Sequence, residues 1–255
     1  MNRSGLPSVL ITGAAQRLGA AFATRFAQAG WHVVIHYRES ADEAGELAAS
    51  LPNADTIGFD IADREAMEAA VAALAGRLDN WRALINCASV FELDTAERID
   101  PEIFDRAMQT NAEGPLALAQ AYLARAEART GRHVINVIDQ KVANLNPDFF
   151  SYTMAKASLA AATRMLAMAR GESADRIYAL HPGAMLPSFD QAAEEHEISG
   201  RMNLLQRLTA PSELADAALF LATGAMRSGE ALFVDSGQHL LQQDRDVLFL
   251  ARASA

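Results

Sequence analysis

Short runs of β-branched and aliphatic residues alternate along the chain with longer alanine-rich stretches whose apolar positions recur at helical spacing. SVLIT, WHVVIHYR, DTIGFD, RALINCAS, RHVINVID, DRIYALHP and ALFVDSG read as strands. Between them, QRLGAAFATRFAQAG, ADEAGELAASL, residues 63–78, residues 101–128, the stretch carrying Tyr152 and the stretch from Pro211 read as helices. Near-continuous apolar strands separated by helices predict a parallel sheet of about seven strands covered on both faces. The expected fold is thus a single doubly wound α/β domain over residues 1–255. One polar, charged segment, MLPSFDQAAEEHEISGRMNLLQR, breaks the alternation as an insertion around residues 184–208. Loops at the carboxyl ends of such strands line the ligand crevice, so the insertion is expected to be a substrate loop, with Leu186, Ser188 and Phe189 as candidate contacts. A solvated surface helix is the alternative.

Composition narrows the picture. A chain of 255 residues that is 51% hydrophobic can bury both faces of one large sheet. The net charge of -10 is spread along the chain without a Lys/Arg cluster, which argues against a nucleic-acid partner. A lone cysteine, Cys87, makes no internal disulfide, and MNRSGLPSVLITG enters a strand without an export segment, so a cytoplasmic location is expected. No apolar run approaches the ~18 to 20 residues of a membrane helix. The six histidines are scattered and predict no metal site.

The first strand runs into TGAAQRLG, residues Thr12 to Gly19, at the mouth of a helix. Gly13 permits a tight turn, and free N–H groups at a helix start bind a pyrophosphate. Arg17 stands in this loop as a permanent cation beside the phosphates. At the end of the second strand, HYRES places Arg38 and Ser40 where a 2′-phosphate would lie, which favours NADPH over NADH, although Glu39 points the other way. Asp60, at the end of the third strand, is placed either to meet adenine edges or to cap a helix. Tyr152 and Lys156 are four apart in a predicted helix and share one face. A neighbouring ammonium is expected to lower the phenol toward working pH, where general acid catalysis is efficient.

Together these pieces resemble the short-chain dehydrogenase/reductase family over essentially the whole length. The matched motifs are the Thr12–Gly19 loop, NCAS at Asn86 to Ser89, Asn111, the Tyr152/Lys156 pair, His181-Pro182-Gly183 and the closing VDSG. The resemblance implies a Rossmann-type fold, with Tyr152 as proton donor, Lys156 on the nicotinamide ribose and Asn111 holding a water in a proton relay. It also implies cofactor contacts from Gly13, Arg17, Leu18, Gly19, His36, Tyr37, Arg38, Ser40, Asp60, Ile61, Asn86, Ala88, Ser89, Lys156, Pro182 and Gly183. Homotetramers are usual in the family, and SYTMAKASLAAATRMLAMA suits close helix packing.

Most members carry a serine about thirteen residues before the tyrosine; here that position is Asp139. Hydride addition to an ordinary ketone builds negative charge on oxygen. An ionised carboxylate ~4 Å away would oppose it by ~4 kcal/mol at an effective dielectric near 20, or about a thousandfold in rate. Either Asp139 is kept neutral by burial, or the bond reduced is a C=N whose nitrogen gains a proton. The chain is similar in this respect to pteridine reductases and the bacterial dihydromonapterin and alternative dihydrofolate reductases, which share Arg17, the HYR-type strand end and the Asp-before-Tyr arrangement. Phe91 stands where those enzymes stack an aromatic ring on the pterin. The expected substrate is therefore a dihydropterin or dihydrofolate, contacted by Arg17, Phe91, Asp139 and Tyr152. A reductase of a conventional carbonyl, or a non-catalytic NADPH-binding regulator, is the rival expectation.

Overall fold

The computed structural model describes residues 5–188 and 190–254, so the expected contact at Phe189 lies outside the described residues. Seven strands form one parallel sheet in the order β3-β2-β1-β4-β5-β6-β7. They are β1 (Ser8–Ile11), β2 (His32–Tyr37), β3 (Ala54–Gly58), β4 (Trp81–Asn86), β5 (His133–Val137), β6 (Arg176–Pro182) and β7 (Ala231–Val234). The helices are α1 (Arg17–Gln28), α2 (Ala41–Ser50), α3 (Arg64–Ala75), α4 (Pro101–Met108), α5 (Gly114–Arg125), α6 (Phe150–Ala169), α7 (Ala193–Ser199), α8 (Pro211–Thr223) and α9 (Val247–Ser254).

Alternation within each strand divides the core into two layers. Val9, Ile11, Val33, Ile35, Ala83 and Ile85 face α1 and α8 with Phe22, Phe26 and Leu214. Leu10, Val34, Leu84 and Val134 face the opposite helices with Met67, Val71, Leu118 and Tyr122. A single-residue slip in any central strand would exchange these sets, so register is fixed by burial on both faces. Helix starts are marked chemically: Asp63 accepts from Ala66 N ahead of α3, and Asp100 accepts from Glu102 N and Ile103 N ahead of α4, where Pro101 occupies the first turn. Strand order reverses between β1 and β4, which opens the crevice in which such sheets bind ligands.

Three features depart from the sequence expectation. The helix expected over residues 101–128 is broken by a π-helical segment, Gln109–Glu113, between α4 and α5. The insertion, expected as a substrate loop, carries the short helix α7. Beyond the last strand the chain folds back as α9, which packs against α7.

Candidate active site

A cleft of about 820 Å³ runs along the carboxyl ends of the strands from Arg38 to Leu248. Its floor is the loop after β1. Thr12 Oγ1 accepts from Cys87 N at 2.9 Å and Ala88 N at 3.0 Å, tying this loop to the one after β4. Gly13 has φ 63°, and a Cβ there would lie 2.9 Å from Ala88 Cα, so no larger residue fits. A Cβ on Gly19 would collide with the Gly13 carbonyl. Helix α1 starts after Gln16 with no side-chain cap and no acid in its first turn, leaving free N–H groups at the cleft. The residues therefore fit a dinucleotide phosphate.

Arg17 adopts φ 54°, a left-handed conformation that costs a side-chain-bearing residue roughly 1–2 kcal/mol. Its Nη2 donates to Pro187 O at 2.8 Å, so the guanidinium joins the phosphate loop to the inserted segment. Leu18, Tyr37, Ser40, Asp60 and Ile61 line the same end of the cleft. Ser40 opens α2 without using its side chain as a cap, and Arg38 is bridged to Glu39 at 2.8 Å with both side chains solvated. Asp60 Oδ1 accepts from Ala62 N in a local turn, and the cap of α3 is Asp63.

His36 lines the cleft as expected, but with its ring already engaged by the protein. Its Nδ1 accepts from Gly13 N at 3.1 Å and its Nε2 donates to Phe59 O at 2.9 Å, so both ring nitrogens are committed to the protein. Burial lowers its pKa to about 4 and keeps the ring neutral. His36 shapes the phosphate loop instead of offering a free group to a ligand.

Asn86 and Asn111 also differ from what the resemblance implied. The Asn86 amide is buried beneath the cleft, donating to Asn136 Oδ1 at 2.8 Å and Pro115 O at 3.1 Å, and does not line the cavity. Asn111 lies in the π-helical segment with a fully buried side chain that accepts from Val90 N and donates to Val90 O, both at 2.8 Å. It also accepts from Ser89 Oγ at 3.1 Å. The side chain thus anchors the Ser89–Val90 loop from within the π-helical segment. Ala88, Ser89, Pro182 and Gly183 remain at the cleft wall.

The opposite wall carries Asp139, Tyr152 and Lys156. Asp139 follows β5 and opens a 3₁₀ turn, Gln140–Val142, where its Oδ1 accepts from Lys141 N at 2.8 Å. Its Oδ2 accepts from Tyr152 OH at 2.8 Å. Lys156, one turn further along α6, donates to Val137 O at 2.9 Å and lies 5.7 Å from the Tyr152 ring centroid. Burial raises the Asp139 pKa and lowers that of Lys156 to about 8. The Tyr152 phenol is held well above its ordinary value, first by burial and then by the Asp139 charge. This direction is opposite to the one expected from Lys156: desolvation of the phenolate comes first among its causes.

Helix α6 begins after Phe149, which sits at φ 52° and supplies no cap. Asp94, from the loop after β4, takes that role by accepting from Ser151 N at 2.9 Å and Ser151 Oγ at 2.5 Å. Phe91, in the same loop and 41% exposed, stacks on Phe149 at 4.0 Å and meets Tyr152 edge-on at 4.7 Å. Phe91 lines the cleft. Met185, Leu186 and Ser188 of the insertion line this end, as do Asp246, Val247 and Leu248. The last three were missed in the sequence. The spacing of Val247, Leu248 and Ala251, all buried, was the only signal of a packed helix after VDSG.

Among the described residues no cluster of His, Cys, Asp and Glu is arranged to hold a metal, and no helix is long and apolar enough to cross a membrane.

The profile of a family described as Enoyl-(Acyl carrier protein) reductase matches residues 13–239. The NAD-dependent glycerol dehydrogenase of Listeria innocua is 28% identical over 235 residues, covering 89% of this chain and 92% of the relative. The galactitol 2-dehydrogenase (L-tagatose-forming) of Cereibacter sphaeroides is 32% identical over 238 residues, covering 89% and 92%. Among solved structures, FolM alternative dihydrofolate reductase 1 from Brucella canis, complexed with NADP, superposes with a TM-score of 0.87. It is 32% identical, over 94% of this chain and 96% of that one. The corresponding Brucella suis protein, also with NADP, has a TM-score of 0.87 and 32% identity, over 95% and 98%.

Proposed function

The chain belongs to the short-chain dehydrogenase/reductase family of oxidoreductases, and on that premise we propose that it reduces the C=N bond of a dihydropterin or dihydrofolate to the tetrahydro form with NADPH. The observation that carries this reading is the 2.8 Å hydrogen bond from Tyr152 to Asp139. It puts a carboxyl where a reductase of ordinary carbonyls needs a hydroxyl donor. The likeness to dihydrofolate reductases solved with NADP supports it.

The cofactor would be held by the uncapped start of α1 with Gly13 and Gly19, with Arg38 and Ser40 for the 2′-phosphate and Lys156 for the nicotinamide ribose. NADPH, when bound, supplies the hydride. Tyr152 gives its proton to the ring nitrogen. Asp139 in its protonated form then donates to the Tyr152 oxygen, so burial that raises the Asp139 pKa serves the reaction by keeping a proton in reserve. In its ionised form the same carboxylate stabilises positive charge on the protonated ring. Phe91 covers one face of the heterocycle, a stacking contribution of roughly 0.5 to 1.5 kcal/mol beyond area burial. Asn111 supports the site by fixing the loop that carries Phe91.

The test is NADPH consumption with 7,8-dihydrobiopterin, dihydrofolate, an acetoacetyl thioester and a sugar ketone. Turnover of the first two alone is expected. The polyol and sugar dehydrogenases among the relatives favour a second reading, reduction of a conventional carbonyl, and turnover confined to the last two substrates would select it. NADPH is expected to bind more tightly than NADH, and the reverse order in a titration would reassign Arg38.

A pH dependence also follows. Lys156 loses its proton at about 8, whereas the Tyr152 phenol titrates far higher. The kcat/KM for NADPH, which reports the free enzyme, should fall above about pH 8. Lys156→Met should remove this limb, and a limb unchanged in that variant would assign it elsewhere. We also place the protein in a homotetramer built through α6 and β7: Met165 and Met168 are exposed on α6, and β7 is the sheet edge. Sedimentation equilibrium measures the state.

A further inference from the structure

Lys141 lies two residues beyond Asp139, and its backbone N–H already donates to Asp139 Oδ1 at 2.8 Å. An ammonium so placed would be expected to turn toward the Asp139 carboxylate. It does not. Lys141 is 3% exposed, and its Nζ donates to Asp246 Oδ2 at 2.7 Å and Asn146 Oδ1 at 2.9 Å. It also faces the Phe149 ring at 5.7 Å. Two of the three donors of the ammonium are thus taken by acceptors, and the aromatic face adds a cation–π contact. Asp246 is itself held in place: its N–H donates to Asp148 Oδ2 at 2.8 Å, its Oδ1 accepts from Leu248 N at 2.9 Å, and Arg245 pairs with Asp148 at 2.8 Å. Both Lys141 and Asp246 line the cleft.

We infer that Asp246, brought to the site by the segment leading into α9, is a positioning residue of the reaction: it keeps the Lys141 ammonium off Asp139, so that the Asp139–Tyr152 pair works without a cation in contact. The inference rests on Tyr152 as proton donor backed by Asp139, and not on which heterocycle is reduced.

The charges around Asp139 make the consequence calculable. From α6 it faces Tyr152 and Lys156, and from β6 His181, whose Nδ1 donates to the Asp139 carbonyl at 2.9 Å. His239 and Asp235 stand behind His181, across the Phe233 ring. Cys87 is contributed by the loop after β4, Lys141 by its own turn, and Asp246 by the C-terminal segment with Asp148 and Arg245 behind it. Burial pushes Cys87 up to about 11 and lowers His181, so both stay neutral in the working range. The balance therefore lies with Lys156, Lys141 and Asp246. A unit charge about 6 Å away at an effective dielectric near 20 is worth roughly two pH units.

The experiment is a 13C carboxyl NMR titration of Asp139 in the full chain with NADP+ bound, the resonance being assigned by its loss in Asp139→Asn. Asp246→Asn frees the ammonium, and the Asp139 midpoint should fall by about one to two units. Lys141→Met removes the cation and leaves Asp246, so the midpoint should rise. The double variant Lys141→Met/Asp246→Leu should return it to within about half a unit of the wild type. A midpoint unmoved in Asp246→Asn, or moved the same way by both single changes, overturns the inference. Breaking a buried pair is destabilising; if Asp246→Asn fails to fold by circular dichroism, Lys141→Met and the double variant decide alone, and a Lys141→Met midpoint that does not rise overturns it. The pH profile of 7,8-dihydrobiopterin reduction should shift in parallel. NMR shifts without turnover of any pterin would support the inference while sinking the proposed substrate.

Discussion

Replacing Tyr152 by Phe should lower turnover of the pterin substrate about a thousandfold, within the range that a positioned general acid supplies, while NADPH binds as before. The ring contacts with Phe91 and the approach of Lys156 survive in the variant, because only the hydroxyl is removed. What is lost is the proton donor and one hydrogen bond to Asp139, the latter worth about 1 kcal/mol of stability. Single-turnover kinetics monitored by NADPH absorbance, with cofactor affinity from fluorescence quenching, separates the two effects. A rate within tenfold of the wild type would mean that the proton reaches the substrate by another route.

Asp139→Ser should act in opposite directions on two kinds of substrate. For a dihydropterin it removes the charge that stabilises a protonated ring and the proton held behind Tyr152, and a loss of about a hundredfold in kcat/KM is expected. For a ketone it removes a carboxylate beside the developing oxyanion and restores a hydroxyl donor. That relief amounts to ~4 kcal/mol, so carbonyl reduction should rise by up to about a thousandfold. The Tyr152 phenol should also titrate lower in this variant, since Asp139 is the second cause of its elevation after burial. Parallel assays of 7,8-dihydrobiopterin and an acetoacetyl thioester read the crossover. Equal losses on both substrates would show that Asp139 merely holds Tyr152 in place.

Much of this arrangement is legible in the chain because it is local. Each strand of the sheet announces itself as an apolar run, and Gly13, Gly19, Tyr152 and Lys156 sit at spacings that a turn or a helical face imposes. The rest depends on partners distant in sequence. His36 reads as a ligand group until Gly13 and Phe59 are seen to occupy both its nitrogens. The π-helical turn that carries Asn111 has the same apolar period as the helix around it, so nothing in QTNAE marks the change. The Tyr152 phenol lies above its ordinary value and not below it; sequence reports a neighbouring lysine and not the depth of burial. The Lys141–Asp246 contact joins residues 105 apart, and no pattern in either segment points to the other.

The fastening of the loop after β1 bears on how the two ligands are recognised. Thr12 Oγ1 and the His36 ring hold that loop in shape through the protein's own hydrogen bonds. Its ordering entropy is therefore met during folding, and cofactor affinity is left to depend on contacts alone. The substrate end has no such common frame. It is assembled from the loop after β4, the inserted segment and the C-terminal strap, with Arg17 of the phosphate loop reaching across to Pro187. A pre-shaped half for the dinucleotide and a composite half for what is reduced would let this scaffold change substrate by altering side chains outside the phosphate loop.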